Sequence, residues 1–373
     1  MSKRPLRRLA MLFVALAALP LAAQGGELRA EVVSRGLEHP WALAFIGDGR
    51  MLVSERPGRL RVIAADGKVG APLEGLPAVE VTGQGGMLDV VADRDFARNR
   101  MIYFCYAEAA AQGRGNSTAL AAARLSDDAR RLEKVTTIFR QTPKVSSRLH
   151  FGCRIVETDD GQLFLTLGER GSRMADAQKL DNHHGKIVRI AKDGSVPADN
   201  PFVKQPGALP EIWSYGHRNS QGATLGPDGR LWMHEHGPQG GDEINRPEPG
   251  KNYGWPVITY GENYGGGAIG EGLTKKPGME QPVHYWVPSI APSGMAFVRS
   301  ERYGKAWRGS LLVGSLKFGY LTRLELDGSK VVREEKLLTG LRQRVRDVRE
   351  APDGTIYLLT DESSGQLLRL VAD

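Results

Sequence analysis

The sequence predicts an all-β protein, a six-bladed β-propeller built from four-stranded antiparallel blades. Short strands with period-2 alternation, bounded by turn residues, recur along the chain at uneven intervals of several tens of residues. Glycine is abundant, at 46 of 373 residues, and long amphipathic helical patterns are scarce. Repeated antiparallel units of this size without helical segments between them are typical of a propeller rather than of a solenoid.

The repeating unit consists of an Asp-Gly-type turn, a short apolar strand, a polar bend and a second strand. Its clear copies occupy 47–67, 159–171 continuing to 185–194, 227–238 continuing to 242–246, 308–328 and 352–370. A further group of strands, which begins with GMLDVV at 86, lies between the first two copies and completes the count of six. A large β-sandwich or two smaller β-domains remain as alternatives. The Pro/Gly-rich segments 247–254 and 261–277 are interpreted as loops, so that 24–373 forms one domain.

The N-terminal segment 1–23 has the pattern of a secretory signal peptide. A basic start, with Lys3 to Arg8, precedes an apolar run that ends in small residues near Ala23. The alternative is an uncleaved anchor, although the apolar run is short for a membrane span. No other segment is long and apolar enough to cross a bilayer, and the mature protein is therefore expected in the periplasm without a membrane span.

Charge and cysteine content set further limits. The formal net charge is +7, and loss of the basic signal segment would leave a mildly basic chain. The sequence contains no basic block interleaved with aromatic residues, so it gives no support for nucleic-acid binding. Cys105 and Cys153 are too few for a disulfide framework, and the sequence leaves open whether they pair.

One stretch, 215–256, concentrates ligand-binding chemistry. It contains an arginine–amide pair, a Gly-Pro loop with free carbonyl groups, an acidic pair and the aromatic sequence NYGW. Arginine and amide donors suit an anionic organic ligand, and carbonyl and carboxylate oxygens suit a hard cation such as Ca²⁺. The stretch therefore predicts an anionic ligand bound together with Ca²⁺.

With these motifs the chain resembles the soluble PQQ-dependent glucose dehydrogenases, and more closely the aldose sugar dehydrogenases among the glucose/sorbosone dehydrogenases. The resemblance covers about 37–370 and rests on HPWALAF, GQGGMLDV, HFGCR, LGERG, YGHRNSQG, EHGPQGGDEIN, NYGWP, SLKFG, RVRDVR and LLTDESSG in this order. It implies a six-bladed propeller that oxidises aldose sugars at C1 to the lactone. Pyrroloquinoline quinone (PQQ) would accept the hydride, assisted by Ca²⁺.

PQQ is a planar quinone that carries carboxylates, so its site needs several converging donors, ideally the planar fork of arginine. The alternative for each candidate Lys or Arg is a solvated surface charge, because these residue types usually lie on the protein surface. The resemblance assigns the cofactor contacts to Gln84, Arg218, Asn219, Tyr264, Lys317, Arg344 and Arg346.

The same resemblance implies that backbone carbonyls hold Ca²⁺ at Gly237 and Pro238, and that a second, structural Ca²⁺ lies at Glu243 with the backbone of Tyr253. A solvated acidic turn is the alternative for Glu243. His234 and His236 resemble a zinc pair, but zinc requires further Cys or His ligands nearby, and a zinc site is therefore not predicted.

His150 is the candidate catalytic base. Oxidation at C1 requires a group that accepts the hydroxyl proton, and a neutral imidazole does so near neutral pH. Glu169, on the following strand, is expected to bond the other ring nitrogen and fix the tautomer. The alternative for a single histidine at a strand start is a structural hydrogen bond. His183 and His184 are interpreted as a polar turn.

The sugar site departs from the glucose-specialised pattern, in which a Tyr and a Trp stack on the sugar. His284 and Val287 take those places, with Tyr285 and Trp286 as candidate substitutes. A broad range of aldoses is therefore expected. The rival functions are a non-enzymatic binding propeller and a Ca²⁺-dependent propeller lactonase. The sequence does not identify the preferred sugar or the electron acceptor.

Overall fold

Alternating strands between glycine-containing turns produce the architecture. The computed structural model describes residues 28–372, and their strands form six four-stranded antiparallel sheets arranged as the blades of a propeller. The predicted signal segment lies outside the described residues. None of the helices within 28–372 is long and apolar enough to cross a membrane.

The first strands along the chain are β1 Leu28–Leu37, β2 Pro40–Phe45, β3 Met51–Glu55, β4 Arg59–Ile63, β5 Val69–Pro72, β6 Met87–Ala92, β7 Met101–Ala109, β8 Asn116–Leu125, β9 Leu132–Arg140, β10 Gly152–Glu157, β11 Gln162–Leu167 and β12 Lys186–Ala191. They are followed by β13 Ile212–Tyr215, β14 Ser220–Leu225, β15 Leu231–Glu235, β16 Asp242–Asn245, β17 His284–Trp286, β18 Pro292–Phe297, β19 Leu311–Ser315, β20 Leu321–Asp327, β21 Lys330–Leu337, β22 Val345–Glu350, β23 Ile356–Thr360 and β24 Gly365–Ala372. The described helices are the short α1 Phe96–Asn99 and the 3-10 helices Met174–Gln178 and Lys305–Trp307.

Blades 1 to 5 consist of consecutive strands, from β2–β5 to β18–β21, and blade 6 combines β22, β23 and β24 with β1. The N-terminal strand β1 is antiparallel to β24, from the pair Leu28 and Ala372 to the pair Leu37 and Gly365. This closure joins the two ends of the described chain. It therefore protects the outer edge of β24, which would otherwise be open for pairing with another chain.

The repeating unit of the sequence corresponds to the second and third strands of a blade and to the turn before them. The 47–49 turn separates β2 from β3, the 227–229 turn separates β14 from β15, and the 352–354 turn separates β22 from β23. Gly229 and Gly354 have φ of 73° and 82°, which glycine adopts without a steric penalty. The predicted propeller of six blades is confirmed.

The innermost strands carry the core. Strands β2, β10 and β18 are buried over almost their whole length, and β2 packs on β6, β14 on β18 and β18 on β22. Trp232 of blade 4 meets Phe297 of blade 5 edge to face, with ring centroids 5.4 Å apart. Because each such side chain contributes about 1.5–3 kcal/mol on burial, contacts between blades fix the ring.

Two features tie the blades together near the axis. Cys105 in β7 and Cys153 in β10 form a disulfide between blades 2 and 3, so the structure pairs the two cysteines. Arg154 lies between Asp89 and Asp347, at 3.3 Å and 2.9 Å, and Arg349 contacts the same two carboxylates at 2.9 Å each. The buried Arg154 guanidinium also lies 4.2 Å from the centroid of the Trp41 ring. This group of opposite charges therefore joins blades 2, 3 and 6.

Candidate active site

Residues of all six blades line a cavity of about 260 Å³, which therefore lies on the propeller axis. Its walls combine cations, amides and flat aromatic surfaces. The cations are Arg56, Arg344 and Arg346, the amides are Gln84, Asn219 and Gln221, and the rings are Trp41, Phe151 and His236. The cavity therefore offers planar stacking surfaces together with several guanidinium groups.

Next to this cavity, His150 and Glu169 form a buried pair. Nδ1 of His150 lies 2.9 Å from Oε1 of Glu169, and the backbone N–H of Gly171 donates to the other carboxylate oxygen. Burial lowers the pKa of His150 below its usual 6.5, although Glu169 opposes the change. An ionised carboxylate only accepts hydrogen bonds, so Nδ1 carries the proton and Nε2 of the neutral ring can accept one.

The backbone around His150 is unusual. His150, Gly152 and Cys153 have φ of 51°, 67° and 75°. A Cβ on Gly152 would lie 2.6 Å from the backbone nitrogen of Gly168, so the chain itself, in addition to any ligand, requires glycine here. The His150 N–H donates to Oε1 of Gln84 at 2.8 Å. These contacts fix the imidazole relative to the cavity.

Arg218 and Asn219 enter the site from the turn before β14. The Nη1 group of Arg218 donates to the carbonyl of Gly237 at 2.8 Å and to that of His236 at 3.1 Å. Its guanidinium carbon lies 5.2 Å from the centroid of the Trp255 ring. Oδ1 of Asn219 accepts the Gly152 N–H at 3.3 Å. Arg218 therefore contacts the Gly237 carbonyl, which is one of the predicted Ca²⁺ ligands.

Arg346 is paired with a carboxylate that sequence reasoning missed. Asp361 accepts from Nε of Arg346 at 3.2 Å and also from Nη2, while Nη1 of Arg346 donates to Gln221 at 3.2 Å. The other oxygen of Asp361 lies 2.9 Å from Nδ1 of His39. Burial would raise the pKa of Asp361, but the charge and hydrogen bonds of Arg346 outweigh it and hold the pKa well below 3.8.

Three predicted cofactor residues, Arg218, Lys317 and Tyr264, are not among those that line the cavity. Arg218 lines a smaller neighbouring cavity instead. Lys317 is exposed, with Nζ 5.1 Å from the centroid of the Phe318 ring. Tyr264 is 74% exposed in a glycine-rich loop. Arg344 does line the cavity, and its half-exposed side chain donates to the Leu316 carbonyl at 3.2 Å.

Three of the four predicted calcium residues line a second, very small cavity, whereas Pro238 does not. It has a volume of about 10 Å³ and is lined by Glu235, Gly237, Glu243 and Tyr253 among others. Burial and the nearby Glu235 raise the pKa of Glu243 to about 8. A cation would relieve the cost of burying this carboxylate. Within 28–372 no cluster of three or more His, Cys, Asp or Glu side chains has a metal-binding arrangement, so backbone carbonyls would have to complete any site.

His234 lies in β15 and His236 follows the strand directly. Packing holds the first ring, and a hydrogen bond to the backbone holds the second. His234 is fully buried beside Gly222, where an added Cβ would lie 2.1 Å from the Nε2 atom. His236 lies with Nε2 2.6 Å from the Pro292 carbonyl oxygen. Burial lowers the pKa of His236 to about 4, so its ring is neutral and donates this hydrogen bond.

On the expected sugar side, the four candidate residues differ in exposure. Trp286 is buried and donates from Nε1 to Glu334 at 3.1 Å, and His284 packs edge-on against it. Tyr285 is 45% exposed and stacks on Tyr260 at 3.8 Å, and Val287 is 62% exposed. Of the two substitute aromatic residues, only Tyr285 presents its ring to solvent.

Sequence reasoning also missed Arg56, Gln221 and Trp41 as cavity residues. Arg56 lies in the repeat copy 47–67, Gln221 in the motif YGHRNSQG and Trp41 in the motif HPWALAF. The available signal was therefore the motif as a whole. Which of its residues face the axis depends on strand register.

Comparison with known proteins gives consistent results. The glucose/sorbosone dehydrogenase family model matches 37–369. The chain is 48% identical over 343 residues to the aldose sugar dehydrogenase YliI of Escherichia coli K12, covering 91% of this chain and 92% of that protein.

Solved structures agree. The apo-form of the soluble aldose sugar dehydrogenase of E. coli superposes with a TM-score of 0.89 at 47% identity, covering 92% of this chain and 99% of that one. The PQQ-bound aldose sugar dehydrogenase of Streptomyces coelicolor superposes with a TM-score of 0.75 at 28% identity, covering 93% and 99%. With a matching propeller and a family model that spans nearly the whole described chain, this protein belongs to the glucose/sorbosone dehydrogenase family.

Proposed function

We propose that the protein is an exported dehydrogenase that oxidises aldose sugars at C1 to lactones, with PQQ and Ca²⁺ as cofactors. The observation that carries this proposal is the buried His150–Glu169 pair beside an axial cavity lined by three arginines. Two relatives support it, since one is an aldose sugar dehydrogenase and another was solved with PQQ.

The cavity residues fit a flat polyanion. Arg56, Arg344 and Arg346 converge from blades 1 and 6, and Trp41 and Phe151 offer stacking surfaces. Asn219 and Gln221 would add amide contacts. When bound, PQQ would accept the hydride from C1, and Ca²⁺ at Gly237 and Pro238 would stabilise the developing charge. Arg218 already contacts Gly237, so it would lie next to this cation.

In this reaction the residues around the cavity would accept a proton and orient the reacting groups. Nε2 of His150 accepts the proton of the C1 hydroxyl, while Glu169 holds Nδ1–H and stabilises the imidazolium that forms. Gln84 fixes the backbone of His150 through its 2.8 Å hydrogen bond. Arg346, held by Asp361 and Gln221, is already oriented before any ligand binds.

The proposal is tested with purified protein freed of cofactor and metal. Adding PQQ with Ca²⁺ is expected to change the absorbance of the quinone and to produce dye-linked oxidation of a panel of aldoses. Lactone formation identifies C1 as the site of oxidation. If no aldose is oxidised although PQQ binds, the dehydrogenase assignment fails. Hydrolysis of lactones without quinone would favour the lactonase alternative.

A further inference from the structure

A groove of about 1040 Å³ opens next to the axial cavity, on the same end of the propeller. It is formed by the segment before β6, the β7–β8 loop, the β9–β10 connection and the turn after β11. Gly83 and Gln84 line both the groove and the axial cavity. Neither the family model nor the names of the relatives assign a role to this groove.

The groove is tied directly to the candidate base. Leu149, which lines the groove, precedes His150 in the chain. The backbone N–H of Gln84 donates to the Arg148 carbonyl at 2.9 Å, and the Gln84 side chain accepts the His150 N–H at 2.8 Å. The wall of the groove is therefore hydrogen-bonded to the segment that carries the candidate base.

The size of the groove exceeds what a single aldose ring requires. Small-molecule sites usually measure about 300–1,000 Å³, and the volume of the groove lies just above this range. The oxidised ring must place C1 near His150, so further rings would continue away from it. The groove has room for such rings.

The charge of the groove is positive. Arg114, Arg148 and Arg170 line it, against a single lining carboxylate, Glu80. Among the residues that the structure describes, the exposed side chains of Arg114 and Arg148 make no ion pair or hydrogen bond. They are therefore available to a ligand.

Arg170 forms a buried part of the groove wall. It donates to the carbonyls of Leu149 at 2.6 Å and Ser147 at 3.2 Å, and also to Asn116, but to no carboxylate within 28–372. Its guanidinium stacks on Phe151 at 3.6 Å, so it separates the groove from the axial cavity. Burial lowers its pKa only to about 10, and it remains charged at neutral pH. Its buried Nε atom has no hydrogen-bond partner among the described residues.

Guanidinium groups pair with carboxylates through two parallel hydrogen bonds, and hydroxyl and amide groups suit sugar hydroxyls. The groove supplies both, since Ser146, Ser147 and Asn116 line it together with the arginines. We infer that the groove binds the uronate-containing part of an acidic oligosaccharide whose reducing-end aldose reaches His150. This inference rests on the proposed function and names a substrate class for it.

Binding can be measured apart from oxidation. The probes are a trisaccharide of galacturonate with its reducing end converted to the alditol, and maltotriitol as the neutral match, titrated calorimetrically into the protein without added quinone. The acidic probe is expected to bind at least tenfold more tightly at low salt, and the difference should shrink as salt rises. The double variant Arg114→Gln/Arg148→Gln is expected to abolish this difference. Arg35→Gln, which changes an exposed arginine on β1, should retain it.

A kinetic experiment completes the test. With quinone and Ca²⁺ present, the ratio of kcat/KM for unreduced trigalacturonate to that for maltotriose should fall at least tenfold in the double variant. Equal affinity for the acidic and neutral probes, or a ratio that the double variant does not change, would overturn the inference. If the acidic probe binds as expected but no aldose is ever oxidised, the groove assignment stands and the dehydrogenase proposal fails.

Discussion

His150 and Glu169 are the residues from which the chemistry is argued. The pair is buried, with Nδ1 of His150 2.9 Å from Oε1 of Glu169. Within 28–372, none of the arginines that line the cavity forms a hydrogen bond with either side chain. Proton removal and cofactor binding are therefore assigned to separate groups, and mutations should separate the two.

Replacing His150 by Gln is expected to lower kcat by roughly 10²–10⁴-fold, the usual contribution of a positioned base. Quinone affinity should change little, because His150 does not line the axial cavity. Steady-state kinetics and quinone titration of the same preparation measure both quantities. Wild-type turnover in this variant would place the base elsewhere.

The pH dependence should follow the state of His150. The base acts as neutral imidazole and burial lowers its pKa, so activity is expected to persist at acidic pH and to decline only below the usual 6.5. Glu169 opposes this shift, so Glu169→Gln should move the acidic limb to still lower pH while lowering kcat. The pH profile of kcat/KM measures the limb. A limb that moves upward in the variant would contradict this assignment.

At the scale of the structural element, the strand entry at β10 is the most constrained. Gly152 has φ of 67°, and an added Cβ would lie 2.6 Å from Gly168 N. Gly161, in the next turn, has φ of 80° but open space around it. The two positions therefore share the strain of a positive φ but differ in steric contact.

Gly152→Ala is expected to destabilise the fold by more than the roughly 1–3 kcal/mol that a strained residue costs, because the steric clash adds to the strain. Gly161→Ala, the matched control, should show the strain alone. Urea unfolding of both variants measures the difference in the free energy of unfolding. Equal losses would show that the backbone at Gly168 yields to the added methyl group.

Another element, the loop between β15 and β16, connects the proposed cofactor and cation sites. Gly237 contacts Arg218, and Glu243 lies in a small cavity with Glu235. If Ca²⁺ and PQQ share ligands here, their binding energies are coupled. Ca²⁺ with PQQ should then raise Tm by more than the sum of their separate effects, and a chelator should remove the excess. Purely additive shifts in a thermal melt would indicate independent sites.

At the scale of the whole molecule, export is the property that the described residues leave untested. The basic cluster Lys3 to Arg8 before an apolar run predicts cleavage near Ala23. The mature protein is expected to begin close to Gln24 and to appear in the periplasmic fraction, as shown by N-terminal sequencing after cell fractionation. Full-length chain in the cytosol would contradict the prediction.

The sequence by itself determined the all-β class, the number of blades and the positions of their central strands. Period-2 alternation and Asp-Gly turns are local properties, and the 227–229 and 352–354 turns separate strands where the pattern indicated. The family motifs also singled out Arg346, which lines the axial cavity, and His150 and Glu169, which form a pair next to it.

The tertiary structure alone decided which of these residues are in contact and which carboxylates pair with the arginines, as Asp361 pairs with Arg346. The contact between Asp361 and His39 spans 322 positions in the chain and exists because β1 closes the ring onto β24. Trp286 is buried whereas its neighbour Tyr285 is exposed, and Arg346 is buried whereas Lys317 is exposed. The motifs that contain these residues do not reveal this difference. Such outcomes depend on strand register and on packing between blades, which are long-range properties that no local pattern encodes.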